Sequence, residues 1–171
     1  MKNGYFPQFV PLDGKTALLF GGGAVAARRL RGLIQFGVRV SVTAPRFCEQ
    51  VRALAERYPD QVTLMDGVYE PGTIAGADLV LSATDDPEAD EMIFEECRSK
   101  GILVNTASDK KKCDFYFPAL IEQDGIVIGV CSGGTDHRKV RRVSEAIRRA
   151  LAETEREEEA NEADPNRNAG E

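Results

Sequence analysis

The run Gly21-Gly22-Gly23-Ala24-Val25-Ala26 has the residue types and spacing to hold a dinucleotide diphosphate. Gly21, Gly23 and Ala26 satisfy G-x-G-x-x-[GA]. In such a turn the first glycine permits the bend, and the second lets phosphate oxygens approach the backbone. A small third residue keeps the helix close to its strand. The N–H groups that open the helix then face the diphosphate. The pattern alone is weak, since a ligand-free tight turn can share it; a preceding strand and a following helix give it weight. The acid that commonly ends the second strand and holds the ribose is missing from Val42-Thr43-Ala44-Pro45-Arg46. Arg46 suits either the extra phosphate of NADP or a solvated helix start, so this stretch leaves NAD and NADP open.

The elements needed to position such a turn are legible on both sides of it. Residues 15–20 form a short apolar run that ends in glycine, the pattern of a buried parallel strand. From Ala24, the residues Val25, Leu30, Leu33 and Ile34 recur at helical spacing, with Arg28, Arg29 and Arg31 outward and Gly37 as the stop. Residues 38–42 alternate as a second strand, which completes a βαβ unit. A helix over 47–58 follows, with strands over 62–65 and 77–82. A helix over 88–100 behind Pro87 then leads to a strand over 102–105. Five strands interleaved with helices predict a Rossmann-like, doubly wound parallel sheet in an α/β protein.

After Asn105 the grammar changes. Residues 115–121 and 126–131 are strand-like runs joined by Glu122-Gln123-Asp124-Gly125, and Asp-Gly between apolar runs is a hairpin signal. Pro118 in the first run marks an edge or a bulge. A Gly133-Gly134 break precedes a long helix from about residue 136, capped by Thr135 or Asp136. The expected division is a dinucleotide-binding domain over 1–109, a dimerisation and substrate-cleft module over 110–155, and an acidic, disordered tail over 156–171.

Composition narrows the function classes. The chain of 171 residues is 42% hydrophobic and 29% charged, enough to bury a core. Residues 153–171 carry the whole net charge of −6, with eight acids against Arg156 and Arg167; the other 152 residues balance. A balanced body gives no general case for nucleic-acid binding. No apolar run approaches the length of a membrane helix, and no secretory leader is expected from the first residues. Cys48, Cys97, Cys113 and Cys131 lie at least 16 residues apart, so no cysteine zinc site is expected and a reducing, cytoplasmic setting is. Cys113 and Cys131 read as small packing residues.

The ordered set of motifs resembles the precorrin-2 dehydrogenase/sirohydrochlorin ferrochelatase family, the N-terminal module of siroheme synthases. It comprises Phe6-Pro7, the glycine turn continued through Arg28-Arg29, and Ala83-Thr84-Asp85-Asp86-Pro87. Gly101-Ile102-Leu103-Val104-Asn105, Cys113-Asp114-Phe115-Tyr116-Phe117-Pro118-Ala119 and Ser132-Gly133-Gly134-Thr135 complete it. The resemblance covers about residues 5–152. It implies an NAD-binding Rossmann domain, a strand-exchanged homodimer, and a tetrapyrrole cleft. It also implies NAD-dependent oxidation of precorrin-2 to sirohydrochlorin, followed in bifunctional members by insertion of ferrous iron. Carried over, the cofactor contacts fall on Gly21, Gly22, Gly23, Ala24, Val25, Pro45, Arg46 and Thr84. The family lacks the ribose acid too and uses NAD.

Two departures bear on the chemistry. Ungapped counting from Asn105 to Phe115 puts Ser108 where the family carries its proposed catalytic Asp, with Asp109 one place along. A serine is a poorer metal ligand and proton acceptor than a carboxylate, so Ser108 and Asp109 are the catalytic candidates and iron insertion is the doubtful half. After Thr135 the family's Ser-Pro-x-Leu-Ala-Arg is replaced by Asp136-His137-Arg138-Lys139-Val140-Arg141-Arg142. Precorrin-2 is a polycarboxylate, so a cleft lined by cations is expected. Arg138 and Arg141, with Lys139, Arg142 and Lys110-Lys111-Lys112, either supply it or form a solvated basic face. Ser132 is placed with the substrate contacts, although it also reads as a turn residue and matches a family position open to phosphorylation. No metal site is assigned; His137, the single histidine, reads as incidental. The leading expectation is a precorrin-2 dehydrogenase. The others are a bifunctional dehydrogenase and ferrochelatase, and a dinucleotide- or tetrapyrrole-binding protein without turnover.

Overall fold

Five short apolar runs pair as one parallel sheet: β1 (Thr16–Phe20), β2 (Arg39–Ala44), β3 (Val62–Asp66), β4 (Leu79–Ser82) and β5 (Leu103–Thr106). A computed structural model describes residues 6–162. The strand order β3-β2-β1-β4-β5 reverses direction of travel between β1 and β4, the switch point at which doubly wound sheets bind ligands. Helices α1 (Ala24–Ile34), α2 (Glu49–Arg57) and α3 (Pro87–Lys100) connect the strands. The expected fold class is therefore the observed one.

The period-2 alternation of the strands sorts the core into two layers. Ala17 and Leu19 of β1, Val40 and Val42 of β2, and Leu79 and Leu81 of β4 pack under α1 and α2 with Ala26, Leu30 and Leu33. Phe20, Val80 and Val104 face the other way, against Ile93 and Cys97 of α3 and the loop residues Tyr69 and Ile74. Each fully buried Leu, Ile or Val contributes about 1.5–3 kcal/mol, so covering both faces is what holds the parallel strands together. α3 is bounded by strong local signals. Asp86 accepts from the N–H groups of Glu88 (2.9 Å) and Ala89 (3.3 Å), Pro87 opens the first turn, and Gly101 closes the helix.

Glu96 ties α3 to the preceding loop. Tyr69 donates to its carboxylate, the Gly72 N–H reaches both oxygens at 3.1 and 3.0 Å, and Lys100 bridges it at 2.5 Å. Burial opposes the charged form of Glu96, but these donors outweigh it and hold the carboxyl below the usual glutamate range. A lowered folded-state value means that stability is contributed above the unfolded-state value and lost as pH falls through the folded one. Urea midpoints of the wild type are therefore expected to drop as pH falls below about 4.3, and those of Glu96→Gln to drop less steeply. Parallel acid limbs in the two proteins would show that this carboxylate contributes nothing.

The contacts divide the chain between Phe117 and Pro118. The second unit holds the hairpin of β6 (Ala119–Gln123) and β7 (Ile126–Val130) and the helix α4 (His137–Glu162). Its turn is Asp124-Gly125 alone, with φ of +51° and +76°, the two left-handed residues of a type I′ hairpin. α4 packs on both strands, and Val140, Val143, Ile147 and Leu151 recur along its half-buried face. Arg148 donates to the Leu120 carbonyl at 3.1 Å. No helix among the described residues is long and apolar enough to cross a membrane.

Several expectations need correction. The strand predicted over 115–121 begins only at Ala119, because residues 113–115 are committed to the edge of β5. Asp114 N–H donates to Val104 O (2.8 Å), Val104 N–H to the Asp114 carboxylate (3.0 Å), and the Asn105 amide to Phe115 O (2.6 Å). The same bonds move the division from 109/110 to 117/118. Residues 156–162 of the expected tail continue α4, while 163–171 lie outside the described residues. Arg29 is not outward but 8% exposed, its guanidinium 5.2 Å from the Phe117 ring centroid; burial is the main cause lowering its basicity. Cys131 is exposed rather than packed, and its sulfur accepts from the Gly133 N–H at 3.3 Å.

Candidate functional site

The glycine turn sits at the C-terminal end of β1, in the gap where the strand order reverses. Gly21 has φ +112°, and a Cβ built there would lie 2.2 Å from Ala83 O. At Gly22 a Cβ would lie 2.0 Å from Arg46 O and 3.0 Å from the Ala44 Cβ. Both glycines are therefore required by neighbouring backbone, and Gly22 O is further held by the Cys48 N–H at 2.8 Å. Gly23 differs: nothing lies within 4 Å of its Cβ position. It is the N-cap of α1, without a side-chain cap and with no acid in the first turn. The leading N–H groups of a helix have no partner inside it, and Ala24 and Val25 are exposed here. The result is an open backbone cradle with the positive end of a helix dipole behind it, a fit for a diphosphate.

Pro45 and Arg46 are exposed beyond the end of β2, beside the turn whose packing Arg46 O enforces. Thr84 borders the same turn through Ala83, but its hydroxyl is occupied. It donates to Asp90 at 2.6 Å and accepts from the Asp86 N–H at 3.2 Å. A dinucleotide contact from Thr84 therefore falls to its backbone.

Asp90 is the residue the sequence analysis missed. It lies in the second turn of α3, is 4% exposed, and receives three hydroxyls. Ser82 (2.5 Å) and Thr84 (2.6 Å) donate to Oδ1, and Ser108 (2.6 Å) donates to Oδ2. The available signal was its spacing from Ile93 and Cys97, which puts an acid on the core-facing stripe of the helix. Of the two catalytic candidates, Ser108 is thus exposed and bound to a buried carboxylate. Asp109 instead caps a 3-10 turn (Lys110–Lys112), accepting from the Lys111 N–H at 2.9 Å. Lys112 of that turn pairs with Glu91 of α3, which raises its pKa, while Lys110 and Lys111 are exposed.

Strand register puts these groups on one edge. Phe20 lies opposite Ser82, and Ser82 opposite Thr106, so the turn at Gly21, the segment at Ala83 and the segment at Ser108 leave the sheet side by side. Burial raises the Cys113 thiol, which donates to Thr106 O at 3.1 Å below that edge. Cys97 is pushed up to about 12 by burial and by Glu96 and Asp114, so it stays a protonated packing thiol. Among the described residues no three His, Cys, Asp or Glu side chains converge to hold a metal ion.

Ser132, Arg138 and Arg141 belong to the second unit. The Ser132 hydroxyl accepts from the Asp136 N–H at 3.0 Å, and Asp136 caps α4 by accepting from the Lys139 N–H at 2.8 Å. Arg138 is exposed, whereas Arg141 pairs with Glu145 one turn on at 2.8 Å, which raises its pKa.

The sheet order and the glycine turn are those of a dinucleotide-binding domain of the Rossmann class. Residues 8–119 match the family model NAD_binding_7, described as "Putative NAD(P)-binding", and the chain belongs to that family. It is 36% identical over 147 residues to "Probable multifunctional siroheme biosynthesis protein HemA" of Ruminiclostridium josui, covering 85% of this chain and 28% of that protein. It is 34% identical over 143 residues to "Siroheme synthase" of Pseudoalteromonas translucida (strain TAC 125), covering 84% of this chain and 30% of that one. The chain thus spans less than a third of the length of these curated relatives. Among solved structures, "SirC, precorrin-2 dehydrogenase" superposes with a TM-score of 0.68 at 21% identity, over 84% of this chain and 69% of that one; the two share a fold.

Proposed function

We propose that the protein is an NAD-dependent dehydrogenase that oxidises the tetrapyrrole precorrin-2 to sirohydrochlorin in siroheme formation. The observation that carries this reading is the open cradle at Gly23, on the same sheet edge as an exposed hydroxyl backed by a buried carboxylate. The names of its siroheme-synthase relatives and of the SirC neighbour support the substrate class. Gly23 and the N–H groups of Ala24 and Val25 would hold the diphosphate, with Gly21 and Gly22 setting the bend and Pro45 and Arg46 bordering the adenosine side. A bound nicotinamide ring supplies the hydride acceptor. The chain's own part is to orient the two partners and receive a proton. Ser132, Arg138 and Arg141 are proposed to meet the carboxylates of the macrocycle.

The same reading makes the protein a homodimer. The β6–β7 hairpin is only two strands wide and leaves Ile126 56% exposed, and an isolated hairpin is marginally stable in water. Four free cysteines accord with a cytoplasmic setting.

The test is one series on the purified chain. Calorimetric titration is expected to show tighter binding of NAD than of NADP, and anaerobic addition of precorrin-2 to yield one NADH per sirohydrochlorin. Light scattering should give twice the chain mass at micromolar concentration. Tighter NADP binding overturns the cofactor choice, a monomer overturns the assembly, and nucleotide binding without turnover favours a binding protein.

A further inference from the structure

Resting on the dehydrogenase reading, we propose that Asp90 is a positioning residue that turns Ser108 into the proton acceptor of the oxidation. A serine hydroxyl alone is a poor base, so an exposed serine at a reaction edge needs an acceptor for its own proton. Ser108 has one: its Oγ donates to Asp90 Oδ2 at 2.6 Å, and the carboxylate is 4% exposed. The other oxygen of Asp90 is occupied by Ser82 and Thr84, from the end of β4 and the segment after it. Those two donors leave Oδ2 for Ser108 and stop the carboxylate from swinging away. Asp90 therefore reaches the surface of this edge through one group, the Ser108 hydroxyl. Asp109 does not compete, because its carboxylate is spent on the Lys111 N–H.

The step balances as follows. The macrocycle loses two hydrogens, a hydride to the dinucleotide of the proposed reaction and a proton to Ser108 Oγ. As that proton arrives, the hydrogen already on Oγ passes to Asp90 Oδ2, and the electron pair left on the macrocycle becomes its new double bond. Asp90 ends protonated and Ser108 ends unchanged. The neutral carboxyl then returns its proton to water along the same route.

The test measures kcat, KM and NAD affinity for four proteins: wild type, Ser108→Ala, Asp90→Asn and the double variant Asp90→Asn/Ser108→Asp. Ser108→Ala and Asp90→Asn should each lower kcat about 100-fold while leaving KM and NAD binding within about 2-fold, the scale of one lost acid–base group. The double variant moves the carboxylate to the exposed position and should recover kcat to within about 10-fold of wild type. A carboxylate that merely braces the fold would not be replaced in this way. Ser108→Ala at the wild-type kcat overturns the proposal, as does a double variant no better than Asp90→Asn. Should Asp90→Asn fail to fold, the kcat of Ser108→Ala decides alone. A wild type that binds NAD without oxidising precorrin-2 sinks the dehydrogenase reading and this proposal together, whereas wild-type turnover with an unaffected Ser108→Ala sinks only the proposal.

Discussion

Gly22→Ala is expected to destabilise the first unit by about 3 kcal/mol, and Gly23→Asp to leave it folded yet unable to bind a dinucleotide. The difference lies in what surrounds the two positions. The Gly22 Cβ would stand 2.0 Å from a backbone oxygen, Arg46 O, and 3.0 Å from the Ala44 Cβ, and neither can rotate away. Gly23 has φ −87°, which any residue adopts, and open space where its Cβ would go. An aspartate there can cap α1 and gain a few tenths of a kcal/mol over glycine. The same carboxylate occupies the N–H groups and presents negative charge where the diphosphate must lie. Dinucleotide affinity should fall at least about 100-fold, equivalent to about 2.7 kcal/mol. Urea denaturation and calorimetric titration of both variants read the two effects separately. A Gly23→Asp protein that binds NAD normally would remove the glycine turn from the site.

Asp90→Ala should cost the first unit about 3 kcal/mol, more than most surface substitutions on α3. It removes the common acceptor of three hydroxyls, of which Ser82 is 0% exposed and cannot turn to water. A buried donor left without a partner costs about 1–3 kcal/mol, and removing donor and acceptor together costs less. The double variant Ser82→Ala/Asp90→Ala should accordingly be less destabilised than the two single losses add up to. Equilibrium urea unfolding measures both. A single Asp90→Ala within about 1 kcal/mol of wild type would mean that water replaces the carboxylate and that the cluster is not sealed.

Much of the first unit was legible because its determinants are local. The change from period 2 to period 3.6 at Ala24, the Asp86-Pro87 start and Gly101 stop of α3, and the Asp124-Gly125 hairpin turn are set by residues within a few positions of one another. The misreadings share a different cause. Residues 115–118 look like a strand by composition, but their hydrogen-bonding groups meet β5 first, through Asn105 and Asp114. Arg29 looks outward because it is charged, yet its stem lies along the core-facing side of α1 and Phe117 covers it.

The glycine turn was determined by sequence alone, since only residues without side chains satisfy the bend at Gly21 and the crowding at Gly22, and the strand and helix flanking it announce themselves by period. The partnership of Ser108 with Asp90 was decided by tertiary structure. Eighteen residues separate the two. They meet because β5 pairs beside β4 while α3, between them in the chain, folds back across the same end of the sheet. Spacing along a strand or helix reports which face a residue takes. Which side chains then meet across that face depends on strand order and on the path of the connecting helix, and both are set by packing over the whole sheet rather than by any local run of residues.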